Sequence, residues 1–328
     1  MKEYQRNTKI ISFVTIALLG AIGIHYYMDT RQPPPELHIP SYGDWGTAYD
    51  EHTPVISAPP AATAATTDSH PPARISADLL HRYNTGLDMR AFVRHALQHP
   101  HQGGYFYAVK VLQQCRGISL APPTDVSRRY SPGEDSRKVR QVTDAAERLR
   151  ERCAGFDAED VAEGRTRGLW QAGRMRDPLI RASVDFSEAF SRDLQPPFNT
   201  AARTQALHNI LKTGDPLLFD DMNLRLALHV VDGKKGFMLG GEFHDLHSEV
   251  DVGAAIYLLP CATGLACDDR EFDVLTRCGH GGDCDANRFR HIENMVENIP
   301  GGYEKVMAAY EAMREAVGNR DARYFAQN

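Results

Sequence analysis

The chain reads as an all-α protein: an array of helical hairpins, irregular and α-solenoid-like, behind a single transmembrane helix, with at most one small β-hairpin near residues 236–246. Three observations predict this. Apolar residues recur at helical spacing over most of the chain beyond residue 75, as in Val139, Val142, Ala146, Leu149 and Cys153. Glycine stops meet Asp-Pro starts, as at Gly214-Asp215-Pro216, which is the signature of a helical hairpin. Finally, the nineteen residues from Ile10 to Met28 carry no formal charge.

That first segment comes at the head of the chain. A helix over 10–28 covers roughly 28 Å at about 1.5 Å per residue, close to the hydrocarbon thickness of a bilayer. Tyr26 and Tyr27 stand where an interfacial aromatic belt belongs. The flank before it (Lys2, Glu3, Arg6, Lys9) sums to +2 and the stretch 29–74 to −4, so the positive-inside rule leaves residues 1–9 in the cytoplasm and exports the rest. A cleaved signal peptide shares the basic start and apolar core. The core is long for that role, however, and no A-x-A site follows it closely, so an uncleaved anchor is expected.

Residues 29–74 hold nine prolines and the low-complexity run Ala61-Ala62-Thr63-Ala64-Ala65-Thr66-Thr67, a composition that cannot bury enough apolar surface to order itself. It reads as a disordered, semi-stiff tether with an extended limit of roughly 140 Å at about 3.1 Å per residue. Residues 75–328 are long enough for one large core or two smaller ones, with Pro196-Pro197 as a lobe boundary. The body's net charge of −4 is unpatterned, which argues against nucleic acid as a partner.

Within the body, Ser76 is placed to cap a helix carrying Leu79, Leu80 and Tyr83, and Asp88 a second carrying Phe92, Ala96 and Leu97 up to Pro100. A third follows Gly103-Gly104, with Tyr105, Ala108, Leu112 and Cys115 on one face. The next covers 136–156. Asp177-Pro178 pairs an N-cap with proline at the first helical position. Asn199 or Thr200 opens a helix through Leu207, Ile210 and Leu211, and Asp215-Pro216 the one after it. The hairpin comes from Phe237-Met238-Leu239, Gly240-Gly241 and Glu242-Phe243-His244. Ser248 and Asp251 read as a capping box for 252–259, and further helices are predicted over 271–278, 286–299 and 303–317.

All six cysteines lie beyond the anchor. Cys261 and Cys267, and likewise Cys278 and Cys284, form C-x5-C units for which local pairing is the simplest solution, leaving Cys115 for Cys153. By loop-closure entropy each short bridge contributes about 2 kcal/mol and the long one about 4. Zinc held by the four C-terminal cysteines, with His280 as a substitute ligand, is the alternative, but structural zinc favours C-x2-4-C spacing. Disulfides imply an oxidising compartment, and the absence of any N-x-S/T sequon beyond the anchor points to the bacterial periplasm.

Helix pairs with short turns, at 91–115 and 200–231, are similar to the units of tetratricopeptide-type α-solenoids, though no constant period recurs. The stretches His95-Ala-Leu-Gln-His-Pro, Gly103-Gly-Tyr-Phe-Tyr-Ala leading to Cys115, and Asp251-Val-Gly-Ala-Ala-Ile-Tyr leading to Cys261 and Cys267 together resemble uncharacterised bacterial envelope proteins with an N-terminal membrane anchor and a cysteine-bearing helical domain. The resemblance covers most of residues 75–300 and implies a fold and a location, with no activity attached.

For chemistry, the densest set of ligand-type side chains is Glu242, His244, Asp245, His247, Glu249 and Asp251. His244, His247 and Glu249 are the candidate metal ligands, since hydrolytic zinc takes two or three such groups and an open position. The spacing is not that of an H-E-x-x-H helix, and Ser248 and Asp251 have a capping role to fill, so a polar loop feeding a helix is the first expectation. His95, His99 and His101 cluster at a helical turn. No G-x-S-x-G elbow or phosphate-binding glycine loop occurs. A non-enzymatic interaction or scaffold module is therefore expected, bound to the membrane through 10–28 and to a protein or cell-wall partner, with no cofactor. The alternative is a metal-dependent envelope hydrolase using the 242–251 cluster.

Overall fold

Helix formation starts from short-range chemistry at the predicted caps. The Asp88 side chain accepts from Ala91 N at 2.9 Å, opening α2 (Met89–Leu97) after α1 (Ala77–Thr85). Asn199 does the same through Ala202 N for α7 (Thr200–Thr213), which Gly214 ends in the left-handed region with its N–H on Ile210 O. The computed structural model describes residues 75–120, 136–191, 199–220, 229–245, 248–280, 284 and 287–326. The expected span at 10–28, the tether at 29–74 and the lobe boundary at Pro196-Pro197 lie outside these. Among the described residues no helix is long and apolar enough to cross a membrane.

The body is mostly helical. After α1 and α2, a 3-10 turn (Pro100–Gln102) leads into α3 (Gly104–Leu120), then α4 (Ser136–Cys153), α5 (Glu163–Gly173) and α6 (Pro178–Ser191) precede α7. Residues 216–220 are helical. Three strands follow, β1 (His229–Val231), β2 (Lys234–Leu239) and β3 (Glu242–Asp245), then α8 (Val250–Ala262), α9 (Phe272–Gly279), α10 (Arg288–Val296), α11 (Gly302–Gly318) and a final 3-10 turn (Ala322–Phe325).

Several expectations need correction. The sheet is larger than one hairpin: β1-β2-β3 form an antiparallel meander, with His229 opposite Gly236 and Phe237 opposite His244. The added strand turns on Asp232-Gly233, both at positive φ (50° and 77°), the two-residue geometry whose twist matches the flanking strands. Ser76 caps nothing locally. Its hydroxyl is buried and donates to Asp215 Oδ2 at 2.5 Å. No capping box precedes α8 either: the helix begins at Val250, and neither Ser248 nor Glu249 makes a side-chain cap. Helix α5 went unforeseen because its glycines dilute the apolar pattern. Of these, Gly173 serves packing, since a Cβ there would sit 2.3 Å from Ile180 Cδ1, whereas Gly164 and Gly168 face open space.

The solenoid-like order also fails. In a solenoid each unit touches only its neighbours in sequence. Here α4 packs on α9, α8 on α11, and both α7 and β2 on the final 3-10 turn. One continuous apolar core results, running from Leu79 through Phe106, Leu149, Phe219 and Leu258 to Phe325. The stripe of α4 behaves as its spacing predicts, with Val142, Ala146, Leu149 and Cys153 buried. Full burial of a Leu or Val side chain contributes about 1.5–3 kcal/mol.

Candidate functional site

The 242–251 segment brings together fewer groups than its composition suggests. His244, on β3, places Nδ1 2.6 Å from Glu249 Oε2, while Glu249 Oε1 accepts from Asp245 N at 3.2 Å. Both carboxylate oxygens are thus engaged, and Glu249 orients the imidazole rather than standing free as a ligand. Asp245 faces Lys234 Nζ at 3.7 Å, and Glu242 is exposed at the start of β3. His247 lies outside the described residues. Among the described residues no three His, Cys, Asp or Glu side chains converge as a metal site.

The first histidine cluster is a surface network. His95 Nε2 lies 3.0 Å from Asp78 Oδ2, which also takes Arg82 Nε at 2.9 Å, and the rings of His95 and His99 are 4.4 Å apart. These partners, His95 first, hold the Asp78 carboxyl below the usual carboxylate range. His99 Nδ1 approaches His95 O at 2.9 Å, and His101 is exposed on the following turn.

All six cysteines are joined: Cys115 to Cys153, Cys261 to Cys267 and Cys278 to Cys284, with Cα separations of 5.4, 5.7 and 4.6 Å. The long bridge ties α3 to the end of α4 inside the core. The short ones close the chain after α8 and after α9.

Two buried polar assemblies reach beyond the Asp177 and Asp215 caps that the sequence shows. In the first, Asp215 accepts from Ser76 Oγ, from Tyr107 Oη at 2.8 Å and from Leu217 N at 3.0 Å. Burial raises its pKa while these donors oppose the rise. Asp177 is its counterpart at Pro178. It accepts from Leu179 N and Ile180 N to cap α6, and from Phe106 N at 2.9 Å to join α6 to α3.

The second assembly centres on Arg288, only 1 % exposed. Its guanidinium donates to both oxygens of Glu271, to Asp220 Oδ1 at 2.9 Å and to Tyr257 O at 2.8 Å, and lies 4.4 Å from the Tyr257 ring centroid. The Tyr257 hydroxyl donates to Asp273, and Arg277 donates to both. Burial pushes Glu271 up to about 7 against the pull of Arg288. Burial works against charge on Arg288 too, but Asp220 and Glu271 outweigh it and hold the guanidinium well above its ordinary range. The only signal in the sequence was position: Arg288 stands on the same helical stripe as Ile292 and Val296.

Each buried charge named here is met by protein groups that join elements of the fold, an arrangement that fixes structure. Comparison with protein-family models, with curated proteins and with solved structures finds no match to this chain. The functional reading therefore stands on the chain's own chemistry.

Proposed function

We propose that this chain is a membrane-anchored periplasmic module that acts by binding. Residues 10–28 anchor it in a bacterial inner membrane with the N-terminus cytoplasmic. Residues 29–74 space it from that membrane, and the helical body presents a surface to a protein or cell-wall partner. The observation that carries the reading is the cysteine chemistry: all six thiols are consumed in disulfides within the body. Such bridges persist in exported compartments and are rare in reducing ones. The flanking charges supply the direction of export, and the proline content of 29–74 the reach.

In-cell cross-linking of the full-length chain, followed by affinity purification, tests the binding role. A discrete adduct that recurs is expected, and its loss when 29–74 is deleted supports a spacer that sets reach. Protease added outside spheroplasts tests the topology. The body is expected to be digested, whereas a body protected until the membrane is opened overturns the reading.

A second reading, a metal-dependent hydrolase, has the His244–Glu249 pair in its favour, because a carboxylate on one ring nitrogen is how metal-binding imidazoles are oriented. Stoichiometric zinc in the purified full-length chain, lost in His244→Ala, supports it. A metal-free chain of unchanged binding behaviour removes it.

A further inference from the structure

Among the three bridges, Cys261–Cys267 is the one whose two cysteines are both half-buried; Cys115, Cys153 and Cys278 are buried. It closes a short loop of which two backbone groups are read by a single side chain. Asn84, at the end of α1, donates through Nδ2 to Gly264 O at 2.9 Å and accepts from Ala266 N at 3.2 Å through Oδ1. An amide that both gives and takes in this way fits one loop conformation. The same loop is held from the other side, where Arg288 N donates to Cys267 O at 3.1 Å. Leu265, between the two cysteines, is buried in the core.

The position of α1 gives this contact its meaning. It is the first described element of the body. Leu79, Leu80 and Tyr83 bury its inner face and Arg152 Nη2 donates to Tyr83 O at 3.2 Å; at its two ends, Ser76 on Asp215 holds the start and Asn84 on the disulfide loop the last turn. The first attachment is buried and the second borders solvent. Of the two, the second is the one a soluble reagent can reach.

We infer that Cys261–Cys267 is a thiol-sensitive latch that holds the end of α1 against the C-terminal half of the body. The reagent class is a dithiol reductant. One of its thiolates attacks a bridge sulfur, the Cys261–Cys267 bond breaks and a mixed disulfide forms. The second thiol of the reductant then displaces the remaining cysteine sulfur. The reductant leaves as a cyclic disulfide, and Cys261 and Cys267 each carry a proton. With the bridge open, the loop of residues 262–266 keeps its backbone bonds, Leu265 N to Pro260 O and Gly264 N to Cys261 O among them, but Gly264 O and Ala266 N are no longer pinned together for Asn84, whose contact is released. The other two bridges and the apolar core stay in place.

The experiment reduces the purified full-length chain with graded dithiothreitol, traps free thiols by alkylation, and reads both labelled positions and hydrogen exchange by mass spectrometry. Cys261 and Cys267 are expected to be labelled first, with loss of exchange protection over the last turn of α1 (82–86) and at 264–266 while Cys115 and Cys153 stay unlabelled. Reduction of another pair first overturns the latch, as does simultaneous opening of all three. Labelling of Cys261 and Cys267 with unchanged protection in α1 overturns the coupling. Asn84→Ala, with every bridge closed, is expected to produce the same loss over 82–86. Full protection in that variant also overturns the assignment.

Discussion

The two halves of the body hold together by different means. From α1 to α6 the helices are joined by apolar burial, one long-range bridge and carboxylates that cap. Phe92, Phe106, Tyr107, Leu112 and Leu149 form the core there, and Asp177 and Asp215 spend their charge on backbone N–H groups and hydroxyls. Like α1 and α2, with nine residues each, α9 and α10 are short, at eight and nine, beside the thirteen of α8. Helices of that length are marginal by themselves. From α8 to α10 the elements are stitched by two local disulfides and by Arg288, which reaches α8, α9 and residue 220 at once. Short helices are thus fixed in two ways: α1 and α2 by packing on the core, α9 and α10 by packing together with covalent loops and a buried ion pair.

The contrast is broken most severely at Arg288. Arg288→Met leaves the buried Glu271 and the partly exposed Asp220 without their cation, and loss of one partner of a buried pair such as Arg288–Glu271 costs about 3–5 kcal/mol. Urea denaturation should show that loss, and Arg288→Met combined with Glu271→Leu should recover a large part of it, since the stranded charge is then gone. Failure of the second substitution to recover stability would mean that Arg288 acts by packing on Tyr257.

Next come the bridges. Removing Cys115–Cys153 by paired alanine substitutions should cost about 4 kcal/mol, and removing Cys261–Cys267 about 2, from the difference in loop length alone. Denaturation midpoints compare the two directly. Equal losses would show that the short loop is held in the unfolded chain by more than its own entropy.

Legibility in the sequence followed the range of the interaction. Asp88, Asp177 and Asn199 were visible as caps because donor and acceptor lie within three residues of each other. The cysteine pairs were visible for a related reason: two of them are set by a six-residue separation, and the third by elimination. Ser76 and Arg288 were not. Ser76 finds its acceptor 139 residues away and Arg288 its carboxylates 17 and 68 residues away, distances over which no spacing rule operates. Glu249 belongs to the same class, because an apparent ligand became an orienting partner once β3 set His244 beside it. Asp232-Gly233 was a legible turn of which only the second half of the sheet was taken up.

Glu271 sharpens the comparison through pH. Its pKa is raised from 4.5 in the unfolded chain to about 7 in the fold, so the folded state binds the extra proton between those values. A carboxyl raised in this way stabilises fully below about 4.5, and that contribution is lost as pH rises through about 7. Asp78, Asp268 and Asp273 are held below 3.8 and stay ionised across this window. Denaturation of the unaltered chain and of Glu271→Gln at steps from pH 4.5 to 8 should therefore diverge, with the variant showing the flatter profile. Parallel profiles would place the titration elsewhere.

The smallest effect is expected in the sheet. Asp232 and Gly233 both sit at positive φ, and Gly233→Ala puts a Cβ into a conformation that costs an L residue about 1–2 kcal/mol. No atom lies within 4 Å of the added carbon, so the cost is conformational and not steric. The strain is confined to the β1–β2 turn, because β2 is also held by β3 and by the Gly240 N–H on Tyr324 O at 2.8 Å. Hydrogen exchange should accordingly quicken over 229–235 and leave 236–245 unchanged. Loss of protection over both would show that the meander folds as one unit, and that β1 shares in fixing His244 beside Glu249.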